Sequence, residues 1–121
     1  MAVTTVCLDE ADGRKTGIVE LKLAEIAAPS DVSRLKSDLV SFVNKNKPDL
    51  VVVDWKGVKY VSTDVFGVML SIHRWMDEWK GQLRLCNIHP FIVESIEQCG
   101  LERILPVFED MQSARKPEET G

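Results

Sequence analysis

Apolar residues recur along this chain in two periods, and the changes between them divide it into elements. Residues 3–8 are apolar and β-branched, stop at Asp9 and Glu10, and predict a first strand. Asp12-Gly13 is a turn signal. Residues 17–23 then alternate Ile18, Val19, Leu21 and Leu23 with polar positions, which predicts a second strand folded back antiparallel on the first. Pro29-Ser30 opens a helix with Ser30 as the expected N-cap. Its apolar face is Val32, Leu35, Leu39, Phe42 and Val43, at helical spacing.

Leu50, Val51, Val52 and Val53 are continuous, the pattern of a parallel strand covered on both faces. Asp54 and Trp55 end that run, and residues 56–61 lead to the polar triplet Ser62-Thr63-Asp64. Val65, Phe66, Val68, Met69, Ile72, Trp75, Met76 and Trp79 then trace a second helical stripe, with the two tryptophans expected in core or flank packing. Gly81 is expected to stop this helix as a left-handed cap. Residues 83–86 predict a short strand, and Pro90 the first turn of a third helix that buries Ile92, Val93 and Ile96 and ends at Gly100. Residues 104–108 predict a last strand, which Pro106 assigns to a sheet edge, and residues 110–114 a short final helix.

The order β-β-α-β-α-β-α-β-α specifies a single α/β domain over residues 1–114. Its mixed sheet starts with an antiparallel hairpin, continues through parallel crossovers and is packed by about four helices. Residues 115–121 are expected to form a flexible tail.

Composition narrows the function. A chain of 121 residues with 45% hydrophobic and 28% charged residues can bury a core without metals or disulfides. Its net charge of −4, with no stripe of Lys and Arg, argues against nucleic acid and against an anionic membrane surface. The start lacks a signal-peptide pattern and no run is long enough to span a bilayer, so a cytoplasmic protein is expected. Cys7, Cys86 and Cys99 form no C-x-x-C pair and are expected as buried reduced thiols. His73, placed opposite the apolar stripe, is expected in solvent, and His89 beside Pro90 at a helix cap. Two histidines without a third ligand do not suggest a metal. Phosphate loops, dinucleotide fingerprints and nucleophile elbows are missing, so neither a cofactor nor a catalytic group is expected.

One enzyme-like pattern competes. The run 48–54 is similar to the third strand of a two-component receiver, with Asp54 as phosphoacceptor and Asp9 and Glu10 as a stand-in Mg²⁺ pair. However, a second strand intervenes and no Lys follows the last strand, so Asp54 is expected to hydrogen-bond the following turn instead.

The stretch 51–61, Val-Val-Val-Asp-Trp-Lys-Gly-Val-Lys-Tyr-Val, resembles the third strand and turn of STAS domains of the anti-sigma factor antagonist type. Residues 62–69, Ser-Thr-Asp-Val-Phe-Gly-Val-Met, occupy that family's D-S-S-G-L-G-V-L position. Gly81, Asn87, Pro90 and Gly100-Leu101 add to the likeness, which runs from Val3 to about Ala114. The resemblance implies a non-enzymatic module that binds an anti-sigma factor, usually a serine kinase, and so controls sigma-factor-dependent transcription. It also implies a switch: phosphorylation of the second serine in D-S-S-G blocks binding, and a phosphatase restores it.

This chain departs from the family where the switch sits. Ser62 replaces the leading Asp, Thr63 the first serine, Asp64 the phosphorylated serine and Val65 the glycine, while Ala27 falls at a loop position where the family carries Asp. The expected partner-binding residues are therefore Ser62, Thr63, Asp64, Val65, Phe66 and Ala27. Asp64 is the phosphosite equivalent, and Thr63 or Ser62 are substitute phosphosites. A subunit of a larger assembly, stressosome-like or in a lipid-transporter complex, is the alternative, and a homodimer is left open.

Overall fold

The computed structural model describes residues 3–11 and 13–116. Strands β1 (Thr4–Ala11) and β2 (Arg14–Leu21) pair antiparallel, with Thr4 opposite Leu21 and Ala11 opposite Arg14. Both extend further toward the hairpin than the apolar pattern indicates, because the β1–β2 ladder continues through polar residues beyond the apolar runs. Of the expected turn, Asp12 lies outside the described residues, and Gly13 has a φ of 72°, which a side chain would resist.

Helix α1 (Pro29–Asn46) starts one residue before its expected cap. The residue before a proline is kept out of the helical region, so Ala28 (φ −63°, ψ 135°) is the N-cap and Ser30 lies inside the first turn. Leu35, Leu39, Phe42 and Val43 are buried as expected. Strand β4 (Leu50–Asp54) runs parallel between β2 and β6 (Gln82–Cys86), and β7 (Val107–Phe108) completes the order β1-β2-β4-β6-β7.

The alternation of β4 divides the interior. Val51 and Val53 join Val19, Leu21, Leu83 and Leu85 in the main core, under α1, α2 (Thr63–Met76) and α3 (Pro90–Gln98). Leu50 and Val52 face the other way, with Cys86 and with Ala114 of α4 (Met111–Arg115). About 1.5–3 kcal/mol per buried aliphatic side chain explains why this four-residue run is wholly apolar.

Several details differ from the sequence reading. Lys80, not Gly81, takes the left-handed conformation after α2 and its 3-10 extension (Asp77–Trp79), with a φ of 60°. Gly81 is needed for space, since a Cβ there would lie 2.8 Å from the Pro48 carbonyl oxygen, Met76 Cε and Trp79 Nε1. The last strand is only Val107–Phe108, because the Ile104 and Leu105 N–H groups bond back to Leu101 in a helical turn; its edge position stands. Two short strands were not anticipated, β3 (Glu25–Ile26) and β5 (Tyr60–Val61), which pair parallel in a sheet of their own. Cys86 is buried, but Cys7 and Cys99 are exposed, contrary to expectation: Cys7 lies on the edge strand and Cys99 follows the end of α3. Val93 is only half-buried.

Trp75 and Trp79 pack on the flank. Trp75 Nε1 donates to Asn44 Oδ1 at 2.9 Å across the α1–α2 seam, and Trp79 Nε1 donates to the Pro48 carbonyl at 2.8 Å. Arg115, where the tail was expected to begin, is the last residue of α4 and pairs with Asp9. The rest of that segment, residues 117–121, lies outside the described residues.

Candidate functional site

Helix α2 begins beyond the carboxyl end of β4, where the chain must turn out of the sheet. Asp54 makes that turn, its Oδ1 accepting from the Lys56 N–H at 3.0 Å and from Asn87 Nδ2 at 3.1 Å. Asn87 itself adopts a φ of 56°, which asparagine tolerates better than most residues. Trp55 is fully buried beneath the turn and anchors it in the main core.

The same geometry removes the receiver reading. Because β1 is antiparallel, Asp9 and Glu10 stand opposite Thr16 and Lys15, and Thr16 is level with Leu50 at the start of β4. Asp54 is at the other end of that strand, with β2 between β1 and β4. Asp9 is also engaged by Arg115. Among the described residues no group of three His, Cys, Asp or Glu side chains could hold a metal ion.

The small β3–β5 sheet positions the start of α2. The N–H groups of Lys59 and Tyr60 donate to the Ala24 carbonyl at 2.7 and 3.2 Å, and the Ser62 N–H to the Ile26 carbonyl at 3.1 Å. Ala27, which directly follows Ile26, is thereby brought beside Ser62 across 35 positions of sequence. Ser62 is the N-cap, with extended backbone (φ −76°, ψ 160°), and its carbonyl accepts from the Val65 N–H at 3.1 Å. Its hydroxyl does not cap the helix, and it is buried with no hydrogen-bond partner among the described residues.

The six expected contact residues separate by burial. Thr63 and Asp64 are exposed on the first turn, and Ser62 and Ala27 are half-buried. Val65 and Phe66 face the core, at 0% and 4% exposure, so their side chains cannot meet a partner without unfolding the helix. Gly67 is exposed with open space around its Cα, and continues the outer face of Thr63 and Asp64. Asp64 stands where the unpaired N–H groups of the helix favour an anion, an effect worth about 0.3–1 kcal/mol.

Sequence reasoning missed Tyr60. Its side chain is 56% exposed on β5, two residues before the helix cap. The available signal was an aromatic residue in a polar lead-in to a helix, but without the β3–β5 pairing its orientation was unspecified. His73 is half-buried rather than solvated, with Nδ1 buried and without a hydrogen-bond partner among the described residues, because its position on α2 faces the groove beyond β6. His89 caps α3 as expected: its Nδ1 accepts from the Phe91 N–H at 3.2 Å. Among the described residues no helix is long and apolar enough to cross a membrane.

Comparison with known proteins matches this arrangement. The STAS domain family model covers residues 18–114. An anti-sigma F factor antagonist from Paenibacillus polymyxa is 20% identical over 85 residues, 70% of this chain and 71% of that protein. Among solved structures, an anti-sigma-factor antagonist (STAS) domain protein from Planctomyces limnophilus superposes with a TM-score of 0.79 at 19% identity, covering 94% of this chain and 95% of the other. The unphosphorylated form of the anti-sigma factor antagonist SpoIIAA gives 0.71 at 15% identity, covering 90% and 92%. With four-fifths of its length matched by the family model and the strand order to support it, this chain belongs to the STAS domain family.

Proposed function

We propose that this domain acts by binding a protein partner, an anti-sigma factor of the serine-kinase type, through the outer face of the first turn of α2. The observation that carries the reading is the presentation of Thr63 and Asp64. They are exposed on a helix start that backbone hydrogen bonds from β3 and β5 hold to the domain. Tyr60 adds an exposed aromatic ring to the same end, the kind of residue that dominates binding energy at interfaces. Val65 and Phe66 support that surface from beneath.

The second part of the proposal concerns regulation. A serine at position 64 could gain about −1.5 to −2 charges by phosphorylation, whereas Asp64 holds about −1 permanently and has no hydroxyl to esterify. The domain is therefore not switched at this position, and it works in the cytoplasm in one binding state. A constitutive subunit of a larger assembly would use the same surface, and the absence of a hydroxyl at position 64 suits that reading as well.

The test uses a candidate kinase-type anti-sigma factor and radiolabelled ATP. Wild type is expected to bind and remain unlabelled, whereas Asp64→Ser acquires label. Asp64→Lys is expected to weaken binding by about tenfold, or about 1.4 kcal/mol. Label on wild type that disappears in Thr63→Val would sink the unswitched reading. Unchanged affinity in both Asp64→Lys and Tyr60→Ala would sink the surface assignment.

A further inference from the structure

The second half of α2 borders a cleft that the docking surface does not use. Strand β7 pairs with Leu85 and Cys86, so the ladder on that side ends before Leu83 among the described residues. The Leu85 N–H donates toward this side, to the Pro106 carbonyl at 2.9 Å, and in an extended strand Leu83 turns its backbone polar groups the same way. Residues 82–84 form the floor of a cleft of about 620 Å³, walled by α2, the 103–106 segment and the end of α4. That volume falls within the range of about 300–1,000 Å³ typical of small-molecule sites.

The lining is charged against the trend of the whole protein. In a chain of net charge −4, the cleft carries His73, Arg84, Arg103 and Lys116 and, among the described residues, no carboxylate. Arg84 is structural. Its guanidinium donates to the carbonyls of Ala114 and Lys116 at 3.0 and 2.6 Å and to Gln82 Oε1 at 3.0 Å, tying the end of α4 to β6. Arg103 and Lys116 are exposed and make no salt bridge among the described residues. His73 Nδ1 is buried with no hydrogen-bond partner among the described residues, and the other ring nitrogen, Nε2, can donate a hydrogen bond when it carries a proton. Ile104, which is exposed, and Phe108, which is half-buried, supply an apolar surface between these groups.

We propose that this cleft binds a small amphiphilic acid, with its carboxylate held by Arg103, Lys116 and His73 and its apolar body against Ile104 and Phe108. The head needs two cations and a donor, and Ile104 and Phe108 offer an apolar surface that a purely ionic ligand would leave uncovered. His73 lies nine residues beyond Asp64 on the same helix, about 13–14 Å along its axis at 1.5 Å per residue. The cleft is therefore separate from the partner-binding turn, and its occupancy does not depend on the identity of that partner.

The protein is titrated with sodium octanoate, 1-octanol and inorganic phosphate, followed by calorimetry and by NMR of the His73 ring and the Leu83 and Ile104 amides. Octanoate is expected to bind saturably and to shift those signals, with octanol and phosphate each weaker by about tenfold or more. The double variant Arg103→Gln/Lys116→Gln, both exposed and remote from the core, is expected to keep the wild-type Tm and lose about tenfold or more in octanoate affinity. Absence of saturable shifts at these signals, equal affinity in the double variant, or phosphate binding as tightly as octanoate would each overturn the proposal.

Discussion

Gly17 is where α1 approaches the sheet most demandingly, and replacing it by alanine tests the packing that supports the whole domain. A Cβ at this position would lie 2.4 Å from Cε2 and 2.8 Å from Cζ of Phe42, and 3.4 Å from Val51 Cγ2. Non-bonded carbons settle near 3.5–4.0 Å, so the ring would have to retreat by about 1 Å. Phe42 is only 9% exposed and sits on α1 between the sheet and its own helix, so retreat means tilting α1 or leaving a favoured rotamer. Overpacking of this kind costs about 1–3 kcal/mol. Relieving glycine's backbone entropy within a strand returns about 0.5–1 kcal/mol. Taking the middle of both ranges, the net expectation for Gly17→Ala is a loss of about 1 kcal/mol, read as a lower urea midpoint at unchanged m, with a Tm lower by roughly 4 °C. Phe42→Leu removes the ring, so Gly17→Ala should cost less in that background, with a coupling of about 1 kcal/mol. Equal or greater stability in Gly17→Ala, or the same cost in both backgrounds, would refute the reasoning.

The buried Cys86 thiol gives a pH-dependent prediction. Burial first, then the charges of Asp54 and Asp110, push its pKa up from 9.0 to about 12. Between those values the unfolded chain gives up the proton and the folded chain keeps it, so stability falls as pH rises from 9.0 toward about 12. Cys86→Ala should remove that part of the alkaline loss, and native protein should react with a thiol reagent at Cys7 and Cys99 but not at Cys86 until it unfolds. For Asp54, incubation with Mg²⁺ and acetyl phosphate should leave no base-labile label; label that disappears in Asp54→Asn would restore receiver chemistry. The kinase assay on Asp64→Ser and the octanoate titration complete the set.

The sequence by itself determined the class and order of the main elements, the burial of β4, the α1 face and the edge position of the last strand. These follow from local rules, since a side-chain period of two or of about 3.6 and a proline's missing N–H are visible in a short window. The departures at positions 62–65 were equally legible, because the STAS resemblance aligns them one residue at a time.

Tertiary structure decided the rest. Two-residue strands have no period, so only their pairing shows that β3 and β5 hold Ala27 beside Ser62. Apolar residues at a helix start read alike whether they face a partner or the core, and the packing on the sheet put Val65 and Phe66 inside. The role of Gly81 depended on contacts with Pro48 and Met76, not on its own φ. The cationic cleft joins residues from α2, β6, the 103–106 segment and the end of α4. Its basic groups, His73, Arg84, Arg103 and Lys116, lie too far apart in sequence to form a motif, because a site made across elements exists only once the sheet has set their separation.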